Sequence, residues 1–476
     1  MFNNVKEVKE FCDKEDIKII DFKVVDLTGR WHHLSIPVER FDEDLMEKGI
    51  GFDGSSYGFL TVEKSDMIFK PDINTAFVDP FCEIKTLTMI ADIYQLGDET
   101  KRFEGDPRYI AEKAQQYLRE TKIADENIIG PEFEFNVFDH ISYVNKGHHQ
   151  EVFIDTAQAH WNMGRKEEQN LGYKVPFQKG YHVDIPNDLT NDFRNKITLQ
   201  LEKMGIEVKY HHHEVGGAGQ IEIEVERGKL LDMADNTLKL KYIVKNLAVQ
   251  EGRTVTFMPK PIYGEAGNGM HVHMQLFKDN EPIFYDENGY SQLSDIALYY
   301  IGGILKHSAA LLAFTNPSTN SYKRLVPGYE APVSICFATA NRSAVIRIPD
   351  YARKPEEKRF EFRPSDATAN PYLAYSALLM AGIDGIINKI DPTEEKFGPY
   401  DVNIFELPED KRKEIKSLPK SLEEAADALE KDYEFLLSGG VFTEALIKDQ
   451  IMRIRKEANK VNTFPNPKEF ELYYDL

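Results

Sequence analysis

The stretch Ile129-Gly130-Pro131-Glu132-Phe133-Glu134-Phe135-Asn136-Val137-Phe138 constrains this chain more than any other. Phe133, Phe135 and Val137 alternate with Glu132, Glu134 and Asn136. Side chains two apart share one face of a β-strand, so the alternation predicts a strand with an aromatic face to bury and two adjacent carboxylates on the other. Two close carboxylates repel unless a cation sits between them. The expectation is a metal-binding strand in a large cleft; the plain alternative is the wet face of an amphipathic edge strand.

The inverted pattern recurs. Glu222, Glu224 and Glu226 share a face, as do His271, His273 and Gln275, and Arg359, Glu361 and Arg363. Several such strands predict a sheet with a polar concave side and a convex side packed on helices, and a polar concavity suits a charged ligand. Carboxylates dominate, with one or two histidines, and such oxygen-rich donors suit Mg²⁺ or Mn²⁺. Taken alone, His271 reads as an ordinary core histidine. At least one of His211–His213 reads as part of a solvated loop, and Glu224 and Glu226 as the solvated far end of their strand. Cys12, Cys82 and Cys336 are odd in number with no CxxC spacing, so neither a disulfide framework nor a thiolate metal site is expected, and a reducing cytoplasmic setting fits.

Arg324, Arg342, Arg347, Arg359 and Arg363 cluster late in the chain, although the formal net charge is −21. That charge disfavours nucleic acid and anionic membranes as partners. Arginine recognises carboxylate and phosphate with paired donors. With a divalent metal and carboxylate ligands, the cluster points to phosphoryl transfer from a nucleotide. No Gly-x-x-x-x-Gly-Lys-Ser/Thr loop and no kinase motif set is present. Gly264–Gly269 is a glycine-rich turn that could bring backbone close to a ligand. A carboxylate-pair glycosidase built on Glu132/Glu134 or Glu214/Glu222 leaves the arginines and His271 idle. A metal-stabilised binding or structural protein leaves the Asp53 loop and the segment 327–332 unexplained.

Residues 17–103 read as short β-runs with turns, a small domain within 1–103, followed by a larger mixed domain over 104–476. Asp106-Pro107 predicts a helix start, with the helix running to about Glu120. Residues 139–150 read as a polar loop before a strand near 150–156. Further helices are expected over 191–204, 229–251, 292–314, a segment ending near 390, and 443–460. Ser421-Leu422-Glu423-Glu424 reads as a capping box opening a helix that stops near Gly439-Gly440. The tail 470–474 is too apolar for a free end and is expected to pack on this subunit or a neighbour. The apolar segments 296–314 and 371–387 are broken by Lys306, His307 and Asp384, so neither reads as membrane-spanning.

Over essentially its whole length the chain resembles the type I glutamine synthetase family. The motifs are Phe-Asp-Gly-Ser-Ser at 52–56, Gly-Pro-Glu-Phe-Glu-Phe at 130–135, His-His-His-Glu at 211–214 and Gly-Met-His-Val-His-Met at 269–274. To these are added the run 316–332, Asn-Arg-Ser-Ala at 341–344 and Arg-Phe-Glu-Phe-Arg at 359–363. The resemblance implies an α+β fold: a small N-terminal β-grasp domain and a large catalytic domain whose curved antiparallel sheet is backed by helices. It implies an ATP-dependent ligase joining ammonium to glutamate through γ-glutamyl phosphate, in a dodecamer of two stacked hexamers with active sites between subunits. A γ-glutamyl-polyamine or other amine ligase, or a catalytically silent scaffold of the same fold, are the competing assignments.

Carried over residue by residue, the resemblance puts one metal on Glu134, Glu214 and Glu222 and a second on Glu132, His271 and Glu361. Arg324, Arg363 and backbone at Gly267 would hold glutamate. Arg342, Arg347 and Arg359 would hold ATP phosphates, with Arg342 facing the transferring group and His273 and Gln275 near the nucleotide. Glu330 would cover the intermediate and bind ammonium, and Asp53, serving a neighbouring subunit, would take its proton. The chain departs from the family pattern at Ala266, Lys209 and Gln275. Thr61 lies near where some relatives use an arginine for feedback. Phe405 stands where many relatives carry an adenylylated tyrosine, so no adenylylation is expected there.

Overall fold

The alternating stretch becomes the long strand Glu126–Phe138 at the middle of a large sheet. A computed structural model describes residues 2–474 apart from 60–64, 98, 168, 329–330, 403, 405–406, 409–411 and 413. Across the sheet the order is Val208–His213, Gln220–Val225, Glu126–Phe138, Val272–Lys278, Phe360–Phe362, Ala344–Ile348 and Ser334–Thr339. Every neighbouring pair on that path is antiparallel except the last, which is parallel. Register then gathers the charged faces: Glu222 lies opposite Glu134, Glu224 opposite Glu132, and His273 opposite both Gly130 and Glu361.

The other face of the strand does the packing. Phe133, Phe135 and Val137 are buried in one large core with the helices Pro107–Glu120 and Leu230–Gln250. The helices Asp295–Thr315 and Pro371–Ile387 lie deeper in that core and touch backbone to backbone. A Cβ on Gly303 would come 2.1 Å from the Ala381 carbonyl, so glycine is what permits the approach. Asp295–Thr315 is long and apolar enough to cross a membrane, but 72% of its most apolar window is buried inside this fold.

The small sheet runs in the order Trp31–Pro37, Ile19–Val25, Thr86–Gln95, Asp66–Val78, Ile50–Asp53, with its own core around Phe22, Phe41 and Phe69. Its hairpin is antiparallel and Ile19–Val25 runs parallel to Thr86–Gln95. Arg108 fastens this sheet to the body built on the large sheet. Its guanidinium lies 2.9 Å from Asp72, 2.7 Å from Asp92 and 3.2 Å from Asp235 on the helix Leu230–Gln250. Asp106 caps its helix, accepting from the Arg108 amide at 3.1 Å.

Several sequence expectations are corrected. Residues 139–150 are not a loop: His140–Lys146 pairs with His149–Asp155 as a hairpin, because alternate residues hydrogen-bond across a short turn. The helix opened by Ser421 ends at Lys431, and a short turn of helix, Glu434–Leu437, precedes Gly439. Only half of the capping box forms there, since Glu424 accepts from the Lys420 amide rather than from Ser421. A full box closes at Asn466 and Glu469 instead. The tail is the helix Pro467–Tyr473; its Phe470, Leu472 and Tyr474 are exposed in the single chain, which leaves a neighbour as the surface expected to cover them.

Candidate active site

The polar face of the large sheet floors a cavity of about 700 Å³. Glu132, Glu134, Glu214, Glu222, His271 and Glu361 all line it, together with Gly267, Arg324, Arg342, Arg347 and Arg363. The strands fix these positions. Glu132 and Glu134 come from Glu126–Phe138, Glu222 from Gln220–Val225, His271 from the residue before Val272–Lys278, and Glu361 from Phe360–Phe362.

On one side, Glu132 Oε2 lies 2.8 Å from His271 Nδ1 and Glu132 Oε1 lies 2.8 Å from His273 Nε2. Burial alone would raise the Glu132 pKa, but the two imidazoles hold the carboxyl well below its ordinary range. Glu361 accepts from Arg347 Nη1 at 2.7 Å and from Arg363 Nη1. Against the cost of burial, Arg363 above all brings Glu361 down to about 2. Glu132, His271 and Glu361 offer donor atoms within 4.8 Å of one another, all buried.

On the other side, Glu214, Glu222 and His212 gather within the same span. Among the described residues, His212 is the cation-forming group set against Glu214, and it does not outweigh the neighbouring carboxylates. Burial, then Glu134 and Glu222, pushes Glu214 up to about 8, and burial with Glu132 and Glu134 raises Glu222 well above its usual value. Glu134, expected with this group, turns one oxygen aside to accept from the Gly269 amide at 2.7 Å. Both donor sets are rich in oxygen and carry one histidine, and all their carboxylates are buried, which is the chemistry a hard divalent cation requires. The electrostatic strain at Glu214 and Glu222 is what a cation would relieve.

Arg324 is buried, with Nη1 donating to the Pro364 carbonyl at 2.7 Å and Nη2 lying 3.2 Å from His271 Nε2. Gly267 passes so close that a Cβ there would meet Arg324 Cγ at 2.8 Å, so its backbone faces the cavity without a side chain. Gln220 holds that backbone, donating to the Gly267 carbonyl at 2.9 Å. Arg363 Nε donates to the Arg342 carbonyl at 3.2 Å.

Other expected residues sit elsewhere. His273 is buried beneath the floor, with Arg359 Nε 3.3 Å from its Nδ1. Gln275 belongs to a separate cavity, accepting from Arg227 at 2.7 Å. Asp53 lies on the small domain away from the cavity of its own chain. Hydrogen bonds from Ser55 and Ser56 hold its exposed carboxylate at about 2. Glu330, Phe405 and Thr61 lie outside the described residues.

Sequence reasoning missed three features. Glu224 is not the solvated end of its strand; it is buried opposite Glu132, and Lys209 Nζ donates to it at 2.6 Å. His211–His213 form strand rather than loop, and His213 is 1% exposed. His212 faces the cavity opposite Glu222, with Tyr181 and His182 stacked beside it. The alternation of Glu222, Glu224 and the histidines carried the signal, but only the antiparallel register shows which residues oppose Glu132 and Glu134.

Residues 16–96 match the family model described as glutamine synthetase, beta-Grasp domain, and residues 104–473 that described as glutamine synthetase, catalytic domain. The chain is 48% identical over 479 residues to a Frankia alni protein named glutamine synthetase, covering 100% of both. It is 47% identical over 472 residues to an Aquifex aeolicus protein of the same name, covering 99% of each. A cryo-EM structure of Plasmodium falciparum glutamine synthetase has the same fold, with a TM-score of 0.89 at 31% identity over 99% of both chains.

Proposed function

The chain belongs to the glutamine synthetase family, and from that premise we propose how its residues divide the work of ligating ammonia to L-glutamate with ATP. The enzyme uses ATP and divalent metal and releases L-glutamine, ADP and phosphate. The carrying observation is that Glu132 with His271 and Glu361, and Glu214 with Glu222 and His212, form two donor groups flanking Glu134 in a cavity also lined by Arg324, Arg342, Arg347 and Arg363.

Two Mg²⁺ or Mn²⁺ ions are assigned, one to Glu132, His271 and Glu361 and one to Glu134, Glu214 and Glu222. When bound, they offset the negative charge that glutamate and the ATP phosphates bring together. Arg324, Arg363 and the Gly267 backbone hold glutamate; the carbonyls that fix Arg324 keep its guanidinium in one orientation. Arg342 and Arg347 line the cavity and hold phosphate, with Arg342 on the group in transfer, giving γ-glutamyl phosphate. Arg359 and His273 form a buried pair behind Glu132, a supporting position for the nucleotide side. Gln275, in another cavity, has weaker support as a nucleotide contact. Ammonium is not a nucleophile until it loses a proton, so a carboxylate must bind the cation and accept one. Glu330 and Asp53 are assigned that work, and the low pKa of Asp53 keeps it ionised and attractive to ammonium.

Asp53 stands outside its own chain's cavity, and the apolar tail helix stands off its own subunit. Both support a homo-oligomer, a dodecamer of two stacked hexamers with sites between subunits. The small sheet's own core, separate from that of the large sheet, supports a β-grasp domain over 1–103 and a catalytic domain over 104–476. Three free cysteines support a cytoplasmic location. Without a hydroxyl at Phe405, control by adenylylation there is absent.

The test supplies ATP, Mg²⁺ and glutamate and compares ammonium with polyamines. Phosphate release driven best by ammonium is expected. Release driven best by a polyamine would assign an amine ligase, and no release with any acceptor a silent scaffold.

A further inference from the structure

A second cavity, about 980 Å³, lies between the hairpin turn of the small sheet and the catalytic body. Arg30 comes from the turn, Lys241 and Lys245 from the helix Leu230–Gln250, and Arg453 from the helix Glu444–Asn462. Its wall carries two carboxylates, Asp26 and Glu457. Asp26 is already engaged: it accepts from the Thr28 and Arg30 amides at 2.8 and 3.1 Å, and its other oxygen lies 2.9 Å from His32 Nε2.

The cations meet neutral partners rather than carboxylates: Arg453 Nη2 donates to Gln450 Oε1 at 2.7 Å. Lys241 Nζ donates to the Ala367 carbonyl at 2.7 Å, and burial followed by the nearby Lys245 pushes its pKa down to about 7. Asp366, the carboxylate that opposes this, accepts from Asn316 at 2.9 Å and from the Thr368 amide at 3.0 Å. Arg453 Nε and Trp31 Nε1, both lining the cavity, are buried with no hydrogen-bond partner. Unsatisfied buried donors are costly, so two bordering one cavity are available to a ligand that enters it. Donors on three separate elements suit a ligand with more than one negative group rather than a single small ion.

We propose that this inter-domain cavity binds a small organic polyanion, a phosphate ester or a dicarboxylate, held by Lys241, Arg453 and Arg30. It is distinct from the catalytic cavity, with which it shares no lining residue.

Calorimetric titration of the full-length enzyme with succinate, and separately with glycerol 3-phosphate, tests this. ADP and glutamate are present throughout to occupy the catalytic cavity. Saturable binding of at least one probe is expected. Binding of succinate alone identifies carboxylate recognition, and of glycerol 3-phosphate alone phosphate recognition. Arg453→Gln is expected to weaken binding about tenfold, as loss of a buried charge-assisted donor does. Lys245→Gln, on an exposed side chain that cannot compromise folding, is expected to weaken it about threefold and leave ammonium-dependent phosphate release unchanged. Binding of neither probe, or equal affinity in wild type and both variants, would overturn the proposal.

Discussion

The two sides of the catalytic floor use the same residue type under opposite electrostatics. Glu132 and Glu361 are surrounded by His271, His273, Arg347 and Arg363, and both are held ionised. Glu214 and Glu222, a few ångströms away, face other carboxylates and are driven towards their protonated forms. One side is compensated by the protein itself. The other is left in deficit, so a cation bound there must supply most of the compensation. The difference teaches that the two proposed ion positions would not be equivalent: the first is a donor group already compensated by the protein, the second a charge deficit that a metal would offset.

The largest expected effect contrasts the two sides directly. Glu132→Gln and Glu222→Gln should each lower ammonium-dependent turnover by about a hundredfold or more, because either removes a proposed metal ligand. Their effects on the metal-free protein should differ in sign. Glu132→Gln leaves two buried imidazoles without their carboxylate and should cost about 3 kcal/mol in denaturant unfolding. Glu222→Gln removes a buried repulsion and should raise stability by about 1 kcal/mol. Loss of stability in both would break the contrast.

A smaller effect concerns protons. A carboxyl whose folded pKa is raised stabilises the fold fully below its unfolded value, and that stability is lost as pH rises through the folded pKa. For Glu214 this window runs from the ordinary carboxylate range up to about 8, so the metal-free protein should lose stability across it. Ligation requires the deprotonated form, so Mg²⁺ binding at neutral pH should release protons and tighten as pH rises. Titrations in two buffers of different ionisation enthalpy check this, and Glu214→Gln should diminish the release.

The smallest effect comes from a compensated cluster remote from the site. His307 lies 3.0 Å from Asp384 and 2.9 Å from Asp432. Burial opposes, but these two carboxylates raise its pKa above the usual value. Its contribution, about 1 kcal/mol, should be complete below about pH 6.5 and fade as pH rises through the raised folded value. Thermal melts of His307→Gln should lose that part of the pH dependence.

Much of the fold was legible in local signals. Asp106-Pro107 marked a helix start because capping and a fixed φ act within one turn. The strand Glu126–Phe138 was legible because one face had to be apolar. The site was legible as residue types, and the family motifs implied the pairing of ligands proposed above. Neither showed that Glu224 is buried against Glu132, that His212 opposes Glu222, or that Gln275 opens on another cavity. Those facts depend on register between strands distant in sequence, and a shift of one residue would invert every one of them. The tail was legible only in part for a related reason: apolar residues require burial, but the chain alone does not say against what.

The central claim is that Glu132 and Glu134 separate two cations rather than share one. Anomalous diffraction from crystals of the enzyme grown with Mn²⁺ measures it directly. Two peaks are expected, one among Glu132, His271 and Glu361 and one among Glu134, Glu214 and Glu222. A single peak bridging Glu132 and Glu134 would contradict the account.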